Sequence, residues 1–318
     1  MGKILCGKKH GNLRENCQFG FSVTQAGQTL KTVLENDVKK GLILEGGAMR
    51  GLFTAGVMDV LMEHRIAFDG AIGVSAGAAF GCNYKSGQIG RVLRYNTRFC
   101  RDPRYCGFRV LLKTGNIYST DFCYGEVPLV HDIFDFDAYE QNPMEFYVVC
   151  TDIETGKAVY HKYEGRHDHG FDWIRASASM PVVSQVVEIA GMKLLDGGIA
   201  DSIPVRYFES IGYSRNIAVL TQPADYIKKK NSLLPLIRRK YKAYPKLIEA
   251  MANRHYIYNE TLEYVTAQAL AGQLYVIRPE EDLPVSRVER DPKQLQRAYA
   301  VGRETAEKHI DRIRQFLA

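Results

Sequence analysis

A chain of 318 residues can hold one large α/β domain, or one domain with a smaller appendage, and is long enough to bury a proper core. At 46% hydrophobic and 25% charged, with a mean hydropathy of -0.23 and no apolar run near the roughly eighteen residues that span a bilayer, it reads as a soluble protein. Seven cysteines without a CxxC pair argue against a disulfide framework or a zinc site and for reduced thiols in a cytoplasmic protein, and a net charge of +6 suits an anionic surface without requiring one.

Residues 1 to 39 are rich in Gly, Lys, Asn and Gln and carry little periodicity, so a partly ordered polar arm is expected. Its start superficially suggests a lipid signal, but Cys6 stands where a myristoylation motif has Ser or Thr. The core begins at Lys40. Gly41-Leu42-Ile43-Leu44-Glu45 is a short apolar strand running into Gly46-Gly47-Ala48-Met49-Arg50-Gly51, after which Leu52, Phe53, Val57, Val60 and Leu61 recur at helical spacing. Strand, glycine loop and helix make an anion-binding arrangement. A dinucleotide fingerprint fails because Ala48 stands where the second glycine belongs, and a Walker A loop fails because Leu52 follows Gly51 instead of Lys. What remains is a loop whose amides can point at one oxygen, as an oxyanion hole requires, or a plain helix-starting turn.

A second strand, Asp69-Gly70-Ala71-Ile72, leads into Gly73-Val74-Ser75-Ala76-Gly77 and a small-residue helix, the setting of a nucleophile elbow. The two glycines are expected to allow backbone angles that a side chain would oppose. Two strand-loop-helix units in succession predict a mostly parallel sheet with right-handed crossovers, so the glycine loop and Ser75 should meet at its carboxyl edge. From Arg91 to Asp137 six arginines, Arg91 to Arg109, interleave with aromatics. Without a nucleic-acid motif they are expected to be solvated on a helix and loop covering the site. A hairpin is expected over Phe146 to Thr151 and Ala158 to His161, and His167-Asp168-His169 reads as a surface turn, not a metal site.

A short helix from Ile174 to Met180 is stopped by Pro181, and a brief strand ends in Asp196-Gly197-Gly198, which can project a carboxylate into a site or simply turn. Asn216 to Leu220 is a further parallel strand, and the first domain closes near residue 221. Residues 225 to 246 mix Lys and Arg with Leu, Ile and Tyr. They form either a helix laid on an anionic membrane or a solvated helix whose lysine stems cover apolar surface. The rest of the extension, residues 222 to 318, reads as a long helix through Met251 and Val265, a strand at Leu274 to Ile277, and a final helix capped by Asp291-Pro292.

A serine hydroxyl needs a base to take its proton and donors to receive the charge. The histidines after Asp196, His255 and His309, fall in helical stretches, which disfavours a histidine triad and leaves Asp196 to act directly on Ser75. An unshifted aspartate is a weak base at neutral pH, so burial is expected to raise its pKa. The order Glu45 to Gly51, Gly73 to Gly77, Ser-Ala-Ser-Met-Pro ending at Pro181, and Asp196 to Gly198 resembles the patatin-like phospholipase family over about Lys40 to Leu220.

That resemblance implies a three-layer α/β/α sandwich, joined here to a smaller, mainly helical C-terminal subdomain. It implies hydrolysis of lipid acyl esters through an acyl-enzyme, with Ser75 as nucleophile and Asp196 as base. Gly46, Gly47 and Ala48 would form the oxyanion hole supported by Arg50, and Gly51, Gly73, Gly77, Gly197 and Gly198 would shape the turns. The mechanism needs no metal or organic cofactor. The departure is Ala48, where the family commonly has glycine, and the hole survives only if that position needs no positive φ. The expected partner is a lipid or other hydrophobic ester, with peripheral contact to an anionic membrane through residues 225–246, at the inner membrane face, and no nucleic acid. Two other readings stand beside it: a Ser-His esterase or acyltransferase recruiting His161 or His255, and a non-catalytic lipid-binding protein with the same fold.

Overall fold

The computed structural model describes residues 38–318. The N-terminal arm and its lipid-signal reading therefore lie outside the described residues, save for the arm's last two positions. Eight strands form one sheet: β1 Lys39–Leu44, β2 Gly70–Val74, β3 Glu145–Asp152, β4 Ala158–Lys162, β5 Val187–Ile189, β6 Met192–Asp196, β7 Tyr213–Val219 and β8 Leu274–Ile277. Hydrogen-bonded neighbours run β5-β6-β3-β2-β1-β7-β8, and β4 also pairs with β3, on the edge opposite β2 and β6. The run β3-β2-β1-β7-β8 is parallel throughout, while β4 and β6 lie antiparallel to β3 and β5 antiparallel to β6.

The helices are α1 Gly51–Glu63, α2 Ala76–Lys85, α3 Arg91–Phe99, α4 Phe108–Thr114, α5 Phe136–Gln141, α6 Asp172–Ser177, α7 Val205–Ser210, α8 Leu234–Lys240, α9 Pro245–Leu270 and α10 Pro292–Leu317, with a π-helix at Asp121–His131. Period-two alternation on β1 builds the layers. Leu42 and Leu44 face one core with Phe53 of α1 and Ala306 of α10. Ile43 faces the other with Phe208 of α7 and Tyr258 and Val265 of α9. All three β1 residues are fully buried, each worth about 1.5–3 kcal/mol, which is why a central parallel strand reads as an unbroken apolar run.

The mainly helical C-terminal part is built into this frame. β8 extends the parallel sheet beyond β7, and α10 packs along α1. The sharp start of α10 has its cause in sequence, because the Asp291 carboxylate accepts from the Lys293 amide at 3.1 Å with Pro292 in the first turn. Residues 225–246 are not one helix. Leu234–Lys240 is one short helix there, and after a turn at 241–243 Tyr244 caps α9, whose first residues are Pro245 and Lys246. Arg91 departs from the solvated reading. It is buried, donating to Asn83 Oδ1 at 2.8 Å and pairing with Asp132 at 3.4 Å, so it ties α3 to the end of the π-helix.

Candidate active site

The turn after β2 places Ser75 at φ 55° and ψ -120°, with α2 starting at the next residue. The strained residue is therefore the serine itself. Gly73 and Gly77 are needed for a different reason from the one expected. Neither has positive φ, but a Cβ on Gly73 would overlap the Gly77 carbonyl and one on Gly77 would overlap the Leu44 carbonyl. The elbow closes because two backbones touch there. Ser177, fully buried at the end of α6, locks it: its hydroxyl accepts from the Ser75 amide at 2.8 Å and donates to the Val149 carbonyl at 2.6 Å. Ser177→Ala should lower stability by about 1–3 kcal/mol, the cost of an orphaned buried amide, and slow covalent labelling of Ser75 about tenfold. Urea titration and the rate of inactivation by a fluorophosphonate check both.

Asp196 reaches the serine through the sheet register. At Cys150 both Val159 of β4 and Asp196 of β6 pair with β3, so those two strands take opposite edges. At Val149 both Tyr160 of β4 and Val74 of β2 do the same. Hence β2 and β6 share one edge of β3 and run toward each other, bringing Ser75 and Asp196 to the point where they meet. The Asp196 carboxylate is buried, accepts the Gly198 amide at 2.8 Å and lines the same cavity as Ser75. Burial pushes its pKa up, against the pull of Arg254, Ser75, the Gly198 amide and Lys228.

The glycine loop arrives from the end of β1. A Cβ on Gly46 would lie 2.9 Å from that of Ser75, so loop and serine are in contact, as the order of strand ends requires. Ala48 has φ 50°, the left-handed conformation that the sequence reading made the condition for trouble. Alanine adopts it nonetheless, at a cost of about 1–2 kcal/mol. Arg50 donates its amide to the Gly47 carbonyl at 3.1 Å, and its buried Nε has no protein partner. Behind the loop, buried Glu45 accepts from the Thr221 amide at 2.6 Å, the Thr221 hydroxyl at 3.1 Å and Tyr258 of α9 at 2.6 Å.

Two cavities meet at Ser75. One, of about 120 Å³, is lined by apolar and aromatic groups that include Phe80, Tyr95, Tyr124 and Val127. The other, of about 320 Å³, holds Asp196, the glycine loop and several cations.

The family model described as patatin-like phospholipase matches residues 42–209. The chain belongs to the patatin-like phospholipase family. A domain of unknown function, DUF6363, matches residues 244–318. The uncharacterized protein YjjU of Escherichia coli is 29% identical over 203 residues, covering 58% of this chain and 52% of YjjU. Lysophospholipase NTE1 of Scheffersomyces stipitis is 28% identical over 203 residues, 62% of this chain but 12% of NTE1. The uncharacterized NTE family protein Rv1063c of Mycobacterium tuberculosis is 30% identical over 182 residues, 56% of this chain and 48% of that protein.

Among the described residues, no histidine lines either cavity at Ser75. His161 stacks on Trp173 and pairs with Asp168 at 2.6 Å, which also holds the indole N–H at 3.1 Å. His255 faces the groove outside the cleft. Sequence reasoning gave Glu45, Ser177 and Tyr258 no role. Glu45 and Ser177 sit inside the quoted motifs, which was the available signal, whereas Tyr258 lies 213 positions from its partner.

Proposed function

We propose that the chain is a lipid acyl hydrolase of the phospholipase A or carboxylesterase kind. In this reading Asp196 takes the Ser75 proton as Oγ attacks the acyl carbonyl, and the amides of Gly46, Gly47 and Ala48 receive the charge on its oxygen. The tetrahedral intermediate collapses by expelling the alcohol, which recovers the proton from Asp196, and water then hydrolyses the acyl-enzyme by the same path. The observation that carries the reading is that buried Asp196 lines one cavity with Ser75, while Ser75 also lines an apolar cavity fit for an acyl chain. Residues 225–246 support peripheral contact with an anionic membrane, since Ile227, Leu233 and Leu236 are exposed among exposed Lys229, Lys230, Arg238 and Arg239.

A fluorophosphonate probe tests the chemistry, with the adduct located by peptide mass spectrometry and the reaction run with and without anionic vesicles at low and high salt. Labelling at Ser75, lost in Ser75→Ala and raised by vesicles only at low salt, is expected. A folded native chain that takes no label under any of these conditions belongs to the non-catalytic lipid-binding reading.

A further inference from the structure

We infer that Arg254 of α9 is a positioning residue for the proposed base Asp196, fastening the turn that carries it and supplying a permanent positive charge that favours the carboxylate. The segment matched by the domain of unknown function thereby completes the catalytic site. The role rests on the acyl-hydrolase reading, in which Asp196 takes the Ser75 proton. One residue joins the two groups. The Gly198 amide donates to the Asp196 carboxylate at 2.8 Å, while the Gly198 carbonyl accepts from Arg254 Nε and from the Ser202 hydroxyl, the latter at 2.8 Å. A Cβ on Gly198 would stand 3.0 Å from Asp196 Oδ1 and 3.2 Å from Arg254 Nη2. The second glycine of the Asp-Gly-Gly turn therefore leaves open the gap across which carboxylate and guanidinium approach.

Helix periodicity puts the arginine there. Leu247, Met251 and Tyr258 are buried along one stripe of α9, and Arg254, three residues after Met251 and four before Tyr258, lies on the same stripe. Tyr258 donates to Glu45 behind the glycine loop at 2.6 Å, so one helix face holds both the loop that touches Ser75 and the turn that carries Asp196. The charges around the carboxylate come from several elements. Arg254 and, less strongly, Lys228 favour its ionised form, while Tyr124 of the π-helix and Cys150 of β3 stay neutral beside it, both pushed up by burial. Glu45, Arg50 and Arg287 line the same cleft. Lys228 is an inconstant cation. Burial, reinforced first by Arg254 and opposed by Glu45, pushes it down to about 7, so near neutrality it is charged only part of the time. A guanidinium keeps its charge throughout this range. Asp225, Glu280, Glu281, Asp282 and His255 line the outer groove that Arg254 also borders. The ion pairs formed among the described residues nevertheless engage other arginines, and the Nε of Arg254 is committed to the Asp196 turn.

Carboxyl-carbon NMR titration of the full chain, with isotopically labelled aspartate, tests the charge without relying on turnover. The Asp196 signal is assigned by its loss in Asp196→Asn. In Arg254→Gln the side-chain amide N–H stands where arginine has Nε–H, so the bond to Gly198 is kept and only the charge is removed. Asp196 should then titrate at higher pH than in the native chain, because its ionised form has lost an attraction, and Arg254→Lys should titrate with the native chain. A midpoint unmoved in Arg254→Gln, or moved equally by Arg254→Lys, would overturn the assignment. Fluorophosphonate labelling of Ser75 in Arg254→Gln should slow about tenfold on the acid limb of its pH profile and about twofold or less on the alkaline plateau. Equal slowing at every pH would make Arg254 a structural tie alone and overturn its role toward the base. Failure of the acyl-hydrolase reading shows separately, as a native chain that takes no label at Ser75, and the NMR midpoints then still decide whether Arg254 governs the carboxylate.

Discussion

Asp196→Asn should abolish turnover and at the same time raise the melting temperature at neutral pH. The amide is isosteric and its oxygen can still accept the Gly198 amide, which now sits 2.8 Å from the carboxylate, so the turn should survive. What disappears is the carboxylate that, in the proposed mechanism, takes the Ser75 proton. General-base contributions run to about 10²–10⁴, and with no histidine among the described residues lining the cleft to substitute, a loss near the upper end is expected, about 10⁴ in kcat. The proposed mechanism requires Asp196 to be ionised in the native chain. Because burial raises its pKa, activity should fall on the acid side at a pH above the ordinary carboxylate range of about 4, and not within it.

The stability effect has the opposite sign. The folded state holds the Asp196 proton more tightly than the unfolded chain, so the associated stability is fully present below the unfolded pKa. It is lost as pH rises through the raised folded value. Asparagine carries no such loss. At pH 8 it should stabilise the fold and raise the melting temperature, while at pH 3 the two proteins should melt together. Desolvation is the largest influence on Asp196 and the attraction of Arg254 comes second, which fixes this sign. Thermal melts at the two pH values, with fluorophosphonate labelling alongside, measure both effects. A lower melting temperature for Asp196→Asn at pH 8 would mean that the cations depend on the carboxylate more than burial penalises it.

The parts of the fold that sequence disclosed were those written in local pattern. β1 and β2 are unbroken apolar runs, the β3–β4 hairpin turns at Gly156, and β8 matches the expected Leu274–Ile277 to the residue. The order of strand ends then put the glycine loop beside Ser75, and contact between Gly46 and Ser75 follows. What stayed hidden depends on partners far along the chain. The Ser75 amide meets Ser177, 102 positions away, and nothing local distinguishes that serine from its neighbour Ser179. The elbow glycines were assigned to backbone freedom because glycine does both jobs, and only the third dimension shows that crowding by the Gly77 and Leu44 carbonyls is the cause. Arg91 was placed in solvent with the other arginines because residue type favours it. Arg94, Arg98, Arg101, Arg104 and Arg109 are indeed exposed, and the exception is the one whose guanidinium finds both Asn83 and Asp132.

Gly302→Ala should destabilise the protein by about 2–4 kcal/mol, although it lies in the middle of a helix where the same change ordinarily helps. Helix propensity alone favours alanine by about 1 kcal/mol, and a compatible Gly→Ala change also restricts the unfolded chain. Here the site is incompatible. A Cβ on Gly302 would overlap the Phe53 carbonyl of α1, and the reciprocal contact puts Gly56 against the Tyr299 carbonyl of α10. Both obstacles are backbone, which cannot rotate aside as a side chain can, so the helices must separate along a crossing that buries Leu295, Ala298, Ala306 and Ile313 completely. The consequence reaches the site, because α1 begins at Gly51, directly after Ala48 and Arg50 of the glycine loop. A displaced α1 moves the glycine loop that touches Ser75, so labelling of Ser75 should slow together with the loss of stability. Urea unfolding followed by tyrosine fluorescence and by retained labelling should report one transition shifted to lower denaturant. If instead labelling persists at native rate while α10 alone loses amide protection in hydrogen exchange, α10 is an outer layer docked on a finished catalytic unit. The geometry argues for the first result, since α10 through α1, β8 through β7, and Tyr258 through Glu45 each fasten the C-terminal part to the parallel sheet or to the glycine loop that touches Ser75.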